Sequence, residues 1–271
     1  MVAPIVVGVA FMAVYASGGI GLLAHGWTVA HWREVLASPG TWLSIGYSFA
    51  VGLVSLAVSI AAALAILGLG GARVGRGPAA IGWFVPLTMP PMVAALVTLE
   101  FWGGTGLVAR IVHALGWIAQ PSDFPPIVFS GWGVGIILTH AMLVTPFLVL
   151  LFARLDGLLR LDDLVLTART LGASRFSAWV RVRVPALLRA AEPALTVYAI
   201  VLIGAFEVPL LLGAQSPSMI SVAIERHFTE FDLMSQPAGY ALATLYAVVA
   251  MLVLLVWFIW RYRGVHVGKT A

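Results

Sequence analysis

Few side chains in this 271-residue chain could perform chemistry, and their spacing does not form a catalytic or cofactor-binding motif. The chain has no cysteine, so a disulfide framework and a thiolate metal site are both excluded. Residues 264–270, GVHVGKT, have the composition of a phosphate-binding loop. Such a loop needs four residues between its glycine and the Gly-Lys pair, and here three intervene. We therefore expect a protein that is not an enzyme and that binds no metal, cofactor or nucleotide.

Two isolated ionisable residues, His140 and Glu207, lie within long apolar runs. A lone histidine at such a position is usually hydrogen-bonded to a neighbouring helix, and metal ligation lacks partners. A carboxylate inside a membrane span costs a few kcal/mol unless it is paired, wetted or neutralised. Glu207 either lines an aqueous pathway, where it would attract a cationic solute, or leans out to the headgroup water at the end of its run. Both interpretations stay open.

The elements that position these residues are long apolar runs. The chain is 61% hydrophobic and 10% charged, with a mean hydropathy of +1.03, which requires lipid as its solvent. Six runs are long enough to cross the bilayer. They predict an all-α integral membrane protein, a single transmembrane domain over residues 1–271, with six transmembrane helices at about 2–23, 42–69, 79–99, 127–152, 190–212 and 238–260. No lysine or arginine precedes the first run, which favours a retained helix over a signal peptide.

The basic residues predict how the chain threads the membrane. Twelve of the 15 lysines and arginines fall in the second and fourth connections and the carboxyl tail. Basic residues are kept on the cytoplasmic side, so both termini are expected to be cytoplasmic. This bias explains the net charge of +4 without a nucleic acid partner.

Three other features predict local structure. Prolines 86, 90 and 91 must break the hydrogen bonding of the third run, either as a packing kink or as a bent helix that lines a pathway. The first outer connection offers Thr28 as the cap of a short helix that ends near Ser38. The fifth connection, 213–237, has the helical spacing of an amphipathic helix.

The fourth connection is long and rich in arginine, and it predicts two short helices joined at Leu171-Gly172-Ala173. The apolar residues Phe176, Trp179, Val180 and Val184 recur at helical spacing before Pro185. We expect Gly172 to occupy a tight step with which a side chain would clash. The connection could lie on the anionic inner leaflet, serve only to enforce topology, or dock a cytoplasmic partner.

This connection also resembles a known sequence pattern. LTARTLGASRFSAWVRVRVPALL, residues 166–188, is similar to the cytoplasmic loop of permease subunits of bacterial binding-protein-dependent ABC importers. Thr167-Ala168 stand at the two alanines of that loop, Gly172-Ala173 at its Gly-Ala step and Val184-Pro185 at its closing dipeptide. The glutamate of the family pattern is missing, and the acids stand instead at Asp162 and Asp163. The segments 139–155 and 205–213 resemble the spans that flank the loop, and the family-like core covers about 42–260.

The resemblance implies a function and a set of partners. The chain would form half of the translocation pathway for a small solute, with a polyamine as the first expectation within a branch that includes polyamine, ferric-ion and phosphonate permeases. An ATP-binding cassette ATPase would bind the ATP, and a second permease subunit, a periplasmic or lipid-anchored solute-binding protein and membrane lipid would complete the assembly in the bacterial cytoplasmic (inner) membrane.

Two sets of candidate site residues follow. The ATPase-coupling set comprises Thr167, Ala168, Leu171, Gly172, Ala173, Phe176 and Pro185, and the pathway set comprises Glu207, His140, Pro90 and Pro91. The alternative function is a self-contained secondary transporter or channel. It would need inverted repeats or paired intramembrane charges, whereas the runs contain only Glu192 and Glu207 as acids at membrane depth and show no half-to-half symmetry.

Overall fold

The computed structural model describes residues 3–21, 26–75, 77–230 and 233–266, and the described residues form helices and no strands. In chain order the helices are α1 (Ala3–Ala16), α2 (Ala30–Ala37), α3 (Pro39–Gly70), α4 (Pro78–Leu87), α5 (Pro91–Trp102), α6 (Leu107–Ala114), α7 (Val134–Leu158), α8 (Leu161–Thr170), α9 (Arg175–Ala178), α10 (Val184–Ile203), α11 (Glu207–Leu212), α12 (Ile220–Thr229) and α13 (Gln236–His266).

Five helical segments of the described chain are long and apolar enough to cross a membrane. They are Pro39–Gly70, Pro91–Ala114, Val134–Leu158, Arg175–Ile203 and Gln236–Ile259. Within the second of them the chain bends, because Gly103 and Gly106 between α5 and α6 have extended backbone conformations. The all-helical prediction is confirmed for the described residues, and the five segments are compatible with a multi-pass membrane protein.

The first predicted span forms only a short helix. α1 has 14 residues and is therefore about 21 Å long, which is less than the roughly 30 Å of the hydrocarbon layer. Residues 2, 22 and 23 of the predicted span lie outside the described residues. The described chain thus contains five segments of spanning length and one shorter apolar helix.

The third and fifth predicted spans are each interrupted. The break in the third was expected from its prolines, whereas the break in the fifth corrects the continuous helix expected over 190–212. α4 ends at Leu87 and α5 begins at Pro91, while α10 ends at Ile203 and α11 begins at Glu207. Proline lacks an N–H, and its ring clashes with the carbonyl four residues earlier in a helix. Pro91 and Pro209 each lie in the first turn of the helix that follows the interruption, where the N–H groups have no partner within the helix. Pro146 and Pro193, by contrast, lie inside α7 and α10 without interrupting them.

The chain divides into two compact units, residues 1–47 with 219–271 and residues 48–218. In the first unit, rings of Phe11, Tyr15, Tyr240 and Phe228 pack together, with 4.2 Å between the ring centroids of Tyr15 and Tyr240. The predicted helices of the first and fifth connections are present as α2 and α12. The hydroxyl of Thr28 accepts the Ala30 N–H at 3.1 Å. The single domain over 1–271 stays a prediction.

The core of the second unit is built from α3, α7, α8 and α10. Its buried residues are Leu56, Ala63, Leu67, Val144, Leu148, Val149, Phe152, Ala153, Leu161, Leu187, Ala191 and Leu202. The packed face of α3 also carries small polar residues, and Ser48, Ser55 and Ser59 on it are fully buried. Small residues let helix backbones approach closely, which is how helices associate in lipid.

Gly52 marks the closest approach on this face, and its replacement tests the packing. A Cβ at Gly52 would lie 2.8 Å from the Cα of Ile203 in α10, a distance that only a backbone shift could relieve. We expect Gly52→Ala to lower the stability of the detergent-solubilised protein by about 1–3 kcal/mol, measured as a lower Tm. Gly46→Ala in the same helix is the matched control, because nothing lies within 4 Å of that position. Equal Tm values for the two variants would contradict this packing.

Candidate functional site

The first candidate site is the Gly172 segment, which comprises residues 161–183. It begins directly after α7, where Arg160 adopts a left-handed conformation with φ of 50°. Leu161, only 1% exposed, anchors the start of α8 in the core. Asp162 and Asp163 lie in the first turn of α8 and Arg169 in the last, as the helix dipole favours.

The predicted joint at Leu171-Gly172-Ala173 is a regular helix-ending turn. The Ala173 N–H donates to the Ala168 carbonyl at 3.0 Å, and the Gly172 N–H donates to the Arg169 carbonyl at 3.0 Å. This pair of bonds is the Schellman motif, which requires a left-handed residue at the position of Gly172. Gly172 has φ of +93°, so glycine suits this position.

The reason for glycine at 172 differs from the one expected. Nothing lies within 4 Å of a Cβ built at Gly172, so the prediction that a side chain would clash there is wrong. The constraint is the positive φ, which L side chains rarely adopt, and the space around the turn is open. A substitution at 172 therefore alters the direction of the chain and leaves the packing intact.

The second helix of the pair is continuous with the long helix that follows, which corrects the expectation of two short helices. Ser174 caps it, since its hydroxyl accepts the Ser177 N–H at 3.1 Å. α9 then passes through a π-helical turn, Trp179–Arg183, into α10. The wider turn accommodates Pro185, whose ring would clash with the Arg181 carbonyl in a regular α-helix.

The most prominent surface of the segment is its tip, residues 171–176. Leu171 is 84% exposed and Phe176 is 77% exposed. Arg175 within the tip and Arg169 just before it are exposed as well. The apolar residues expected to form one stripe therefore do not share one surface. Phe176 points away from the core, while Trp179 lies against α3, where a Cβ at Gly68 would be 3.3 Å from its ring.

The structure places most of the predicted coupling residues along this turn. Thr167 is exposed, and its hydroxyl donates to the Asp163 carbonyl at 2.9 Å. Ala168 accepts a bond of the Schellman motif. Pro185 lies apart, beyond the π-helical turn and in the first turn of α10. The remaining predicted residues, Leu171, Gly172, Ala173 and Phe176, belong to the tip.

A charged cluster at the base of the segment escaped the sequence analysis. Arg183 Nε lies 2.9 Å from Asp156 Oδ1, at the end of α7, and the same guanidinium pairs with Asp162 of α8. The Arg183 Cζ also lies 5.7 Å from the centroid of the Trp179 ring. The available sequence signal was a single acid, Asp156, within the last turn of a long apolar helix.

The second candidate site is a cavity of about 690 Å³ where the two interrupted spans face α7. It contains three of the four predicted pathway residues, His140, Pro91 and Glu207, whereas Pro90 lies just outside its lining. The interruption of the third span contributes Leu87 and Met89, and that of the fifth contributes residues 204–206. Both interruptions thus border the cavity.

His140 forms part of the wall of this cavity and is almost fully buried. It is 3% exposed, and its Nδ1 lies 3.2 Å from the Ser55 hydroxyl of α3. The adjacent Thr139 hydroxyl lies 2.7 Å from that of Thr98 in α5. Polar pairs of this kind join α7 to both neighbours, so the histidine fixes helix positions.

Glu207 is an acidic residue in the lining of the cavity. It is the first residue of α11, and it is exposed because the helix has just been interrupted. The described residues that line the cavity include no lysine or arginine. The local charge is therefore negative when Glu207 is ionised, and a cationic group entering the cavity would be attracted.

The described part of the chain has no group of three or more histidine and carboxylate side chains that could hold a metal ion. The chain matches no protein-family model and no curated protein at a significant level of similarity.

Proposed function

We propose that this chain is the membrane-spanning permease subunit of an ATP-driven importer and forms half of the pathway for a small cationic solute. A polyamine is the first choice. ATP would be hydrolysed by a separate cassette ATPase, and a second permease subunit and a solute-binding protein would complete the assembly. The sequence resemblance of residues 166–188 supports assignment to the importer permeases. The shape of the Gly172 segment supports a role in docking the ATPase.

The observation that carries the proposal is the exposed apolar tip with its arginines. Leu171 and Phe176 are both exposed, and nothing lies within 4 Å of a Cβ built at Gly172. Large apolar side chains that remain exposed next to charged ones are typical of a protein interaction site. An apolar groove with acidic residues at its rim, on a cytoplasmic ATPase, is the complementary surface.

The cavity supports a transport function in the same chain. It lies between helices long enough to span the membrane and is lined by interrupted backbone, which lipid does not tolerate unless the backbone is buried in protein or faces water. A water-filled route satisfies this condition, and Glu207 gives the route a preference for cations.

In this proposal the membrane is the bacterial cytoplasmic membrane and both termini are cytoplasmic. α1 would belong to the sixth span. The Gly172 segment would then face the cytoplasm, where an ATPase can reach it, and α2 and α12 would face the outside.

Purification in mild detergent from the native membrane tests the assembly. We expect the tagged chain to co-elute with a nucleotide-binding ATPase and to yield ATP-dependent uptake in vesicles. A chain that elutes alone and supports uptake driven by an ion gradient would contradict the proposal and favour a secondary transporter.

The absence of cysteine allows a direct test of topology. Single cysteines at the exposed positions Glu34, Glu230 and Leu171 would be labelled with a membrane-impermeant maleimide. We expect positions 34 and 230 to react in intact spheroplasts and position 171 to react only after permeabilisation. Reaction at 171 from the outside would contradict the orientation and, with it, the docking of a cytoplasmic ATPase.

A further inference from the structure

We propose that Arg183 is a positioning residue that holds the second half of the Gly172 segment against the end of α7 through Asp156. The effect of this attachment on coupling to an ATPase rests on the proposed function. The rigid attachment is a property of this chain and can be measured without any partner.

The Arg183–Asp156 pair is largely buried. Asp156 is 3% exposed and the Arg183 side chain 14% exposed, so water and salt screen their attraction weakly. Removing one partner of such a pair leaves a buried charge uncompensated. The neighbouring pair Arg160–Asp163 is 83% and 70% exposed, and pairs of that kind contribute little.

The geometry places the guanidinium between two partners. Arginine stays charged when buried and can also stack on an aromatic ring. Arg183 forms an ion pair with Asp156 on one side, without hydrogen-bond geometry, and lies over the ring of Trp179 on the other. Trp179 rests on α3 at Gly68. The further contact with Asp162 lies on the exposed side of the cluster and adds less.

The segment is thereby held at both ends. Leu161 fixes its start in the core, and Arg183 fixes its end to Asp156. α9 is continuous with α10 through the π-helical turn, so a force on the tip reaches α10 along the helix. The Arg183–Asp156 contact carries the same force to α7.

Both α7 and α10 line the cavity. His140 lies 16 residues before Asp156 in α7, about 24 Å along the helix axis. α10 contributes Tyr198 and residues 200–202 to the same cavity. Displacement of the tip would therefore move two walls of the cavity together.

Spin-label distances and hydrogen exchange test the Arg183–Asp156 attachment in the purified full-length chain. Cysteines at the exposed positions Leu138 of α7 and Phe176 of the tip would carry the labels. We expect one narrow distance distribution for the parent chain and for Arg183→Lys, which keeps the charge next to Asp156. Arg183→Gln should broaden the distribution and accelerate amide exchange of residues 175–183 by about a hundredfold.

The exposed pair supplies the control. Asp163→Asn should leave the distribution narrow and change exchange by less than about fivefold. If Arg183→Gln does not insert, the double variant Asp156→Leu with Arg183→Met removes the pair without leaving a buried charge, and it should show the same broad distribution. A narrow spin-label distance distribution and parent-like amide exchange in the double variant would contradict the attachment by Arg183 and leave the proposed function unaffected. Loss of ATPase co-elution would overturn the proposed function and leave these readouts unchanged.

Discussion

Gly172→Val is expected to reduce ATP-dependent uptake by about tenfold or more, while the amount of the chain in the membrane stays normal. A β-branched residue at φ of +93° is strained by about 1–2 kcal/mol or more. The chain relieves the strain by leaving the Schellman turn, which redirects Leu171 and Phe176. Because nothing lies within 4 Å of position 172, the packed core is undisturbed. Membrane level, co-purified ATPase and uptake would be measured on the same preparation.

Two further variants separate the tip from general backbone strain. Gly116→Val places the same residue at φ of +75°, also with nothing within 4 Å, in a connection predicted to face the outside. It should leave uptake near the parent value. Gly172→Asn should retain most of the uptake, since asparagine tolerates positive φ. Parent-like uptake by Gly172→Val would remove the coupling role from the tip.

Glu207→Gln is expected to raise the KM for uptake of a polyamine by about tenfold or more, because the cavity loses its negative charge. The substitution keeps the size of the side chain, and the exposed position tolerates it. Initial rates of uptake into vesicles at several solute concentrations would give KM and the maximal rate separately.

Glu230→Gln is the matched control, since Glu230 is an exposed acid that follows α12 and is outside the lining of the cavity. It should leave KM unchanged. Unchanged kinetics in Glu207→Gln would assign Glu207 to the membrane interface, and faster uptake of an anion would exclude a cationic solute.

The long apolar helices and the joint at Gly172 could be predicted because each depends on local information. Runs of apolar residues specify helices in lipid wherever they occur, and a glycine between helical stretches specifies a helix-ending turn. The short helices α2 and α12 also followed from local signals, α2 from Thr28 and the expected end near Ser38, and α12 from helical spacing.

The interruption at 204–206 was missed because the composition of 190–212 is continuously apolar. Pro209 was a local signal, but Pro146 and Pro193 lie inside continuous helices, so a proline alone does not locate a break. Glu207, expected near the end of one helix, is instead the first residue of another.

The buried Arg183–Asp156 pair was out of reach of local reasoning. The two residues are separated by the whole Gly172 segment, and seven arginines in the fourth connection were equally good partners. Only the three-dimensional path of the chain selects one of them. The pairing of His140 with Ser55 depends likewise on which faces of α3 and α7 meet.

Site-specific photocrosslinking from the tip tests whether an ATPase docks there. A photoreactive amino acid at Phe176 would be activated in native membranes, and the control position is Trp117, which is 76% exposed and lies beside Gly116 in a connection predicted to face the outside. We expect a crosslink from position 176 to a nucleotide-binding ATPase and none from position 117. Crosslinks from 176 to lipid or to the chain itself alone, with no ATPase captured, would contradict this docking.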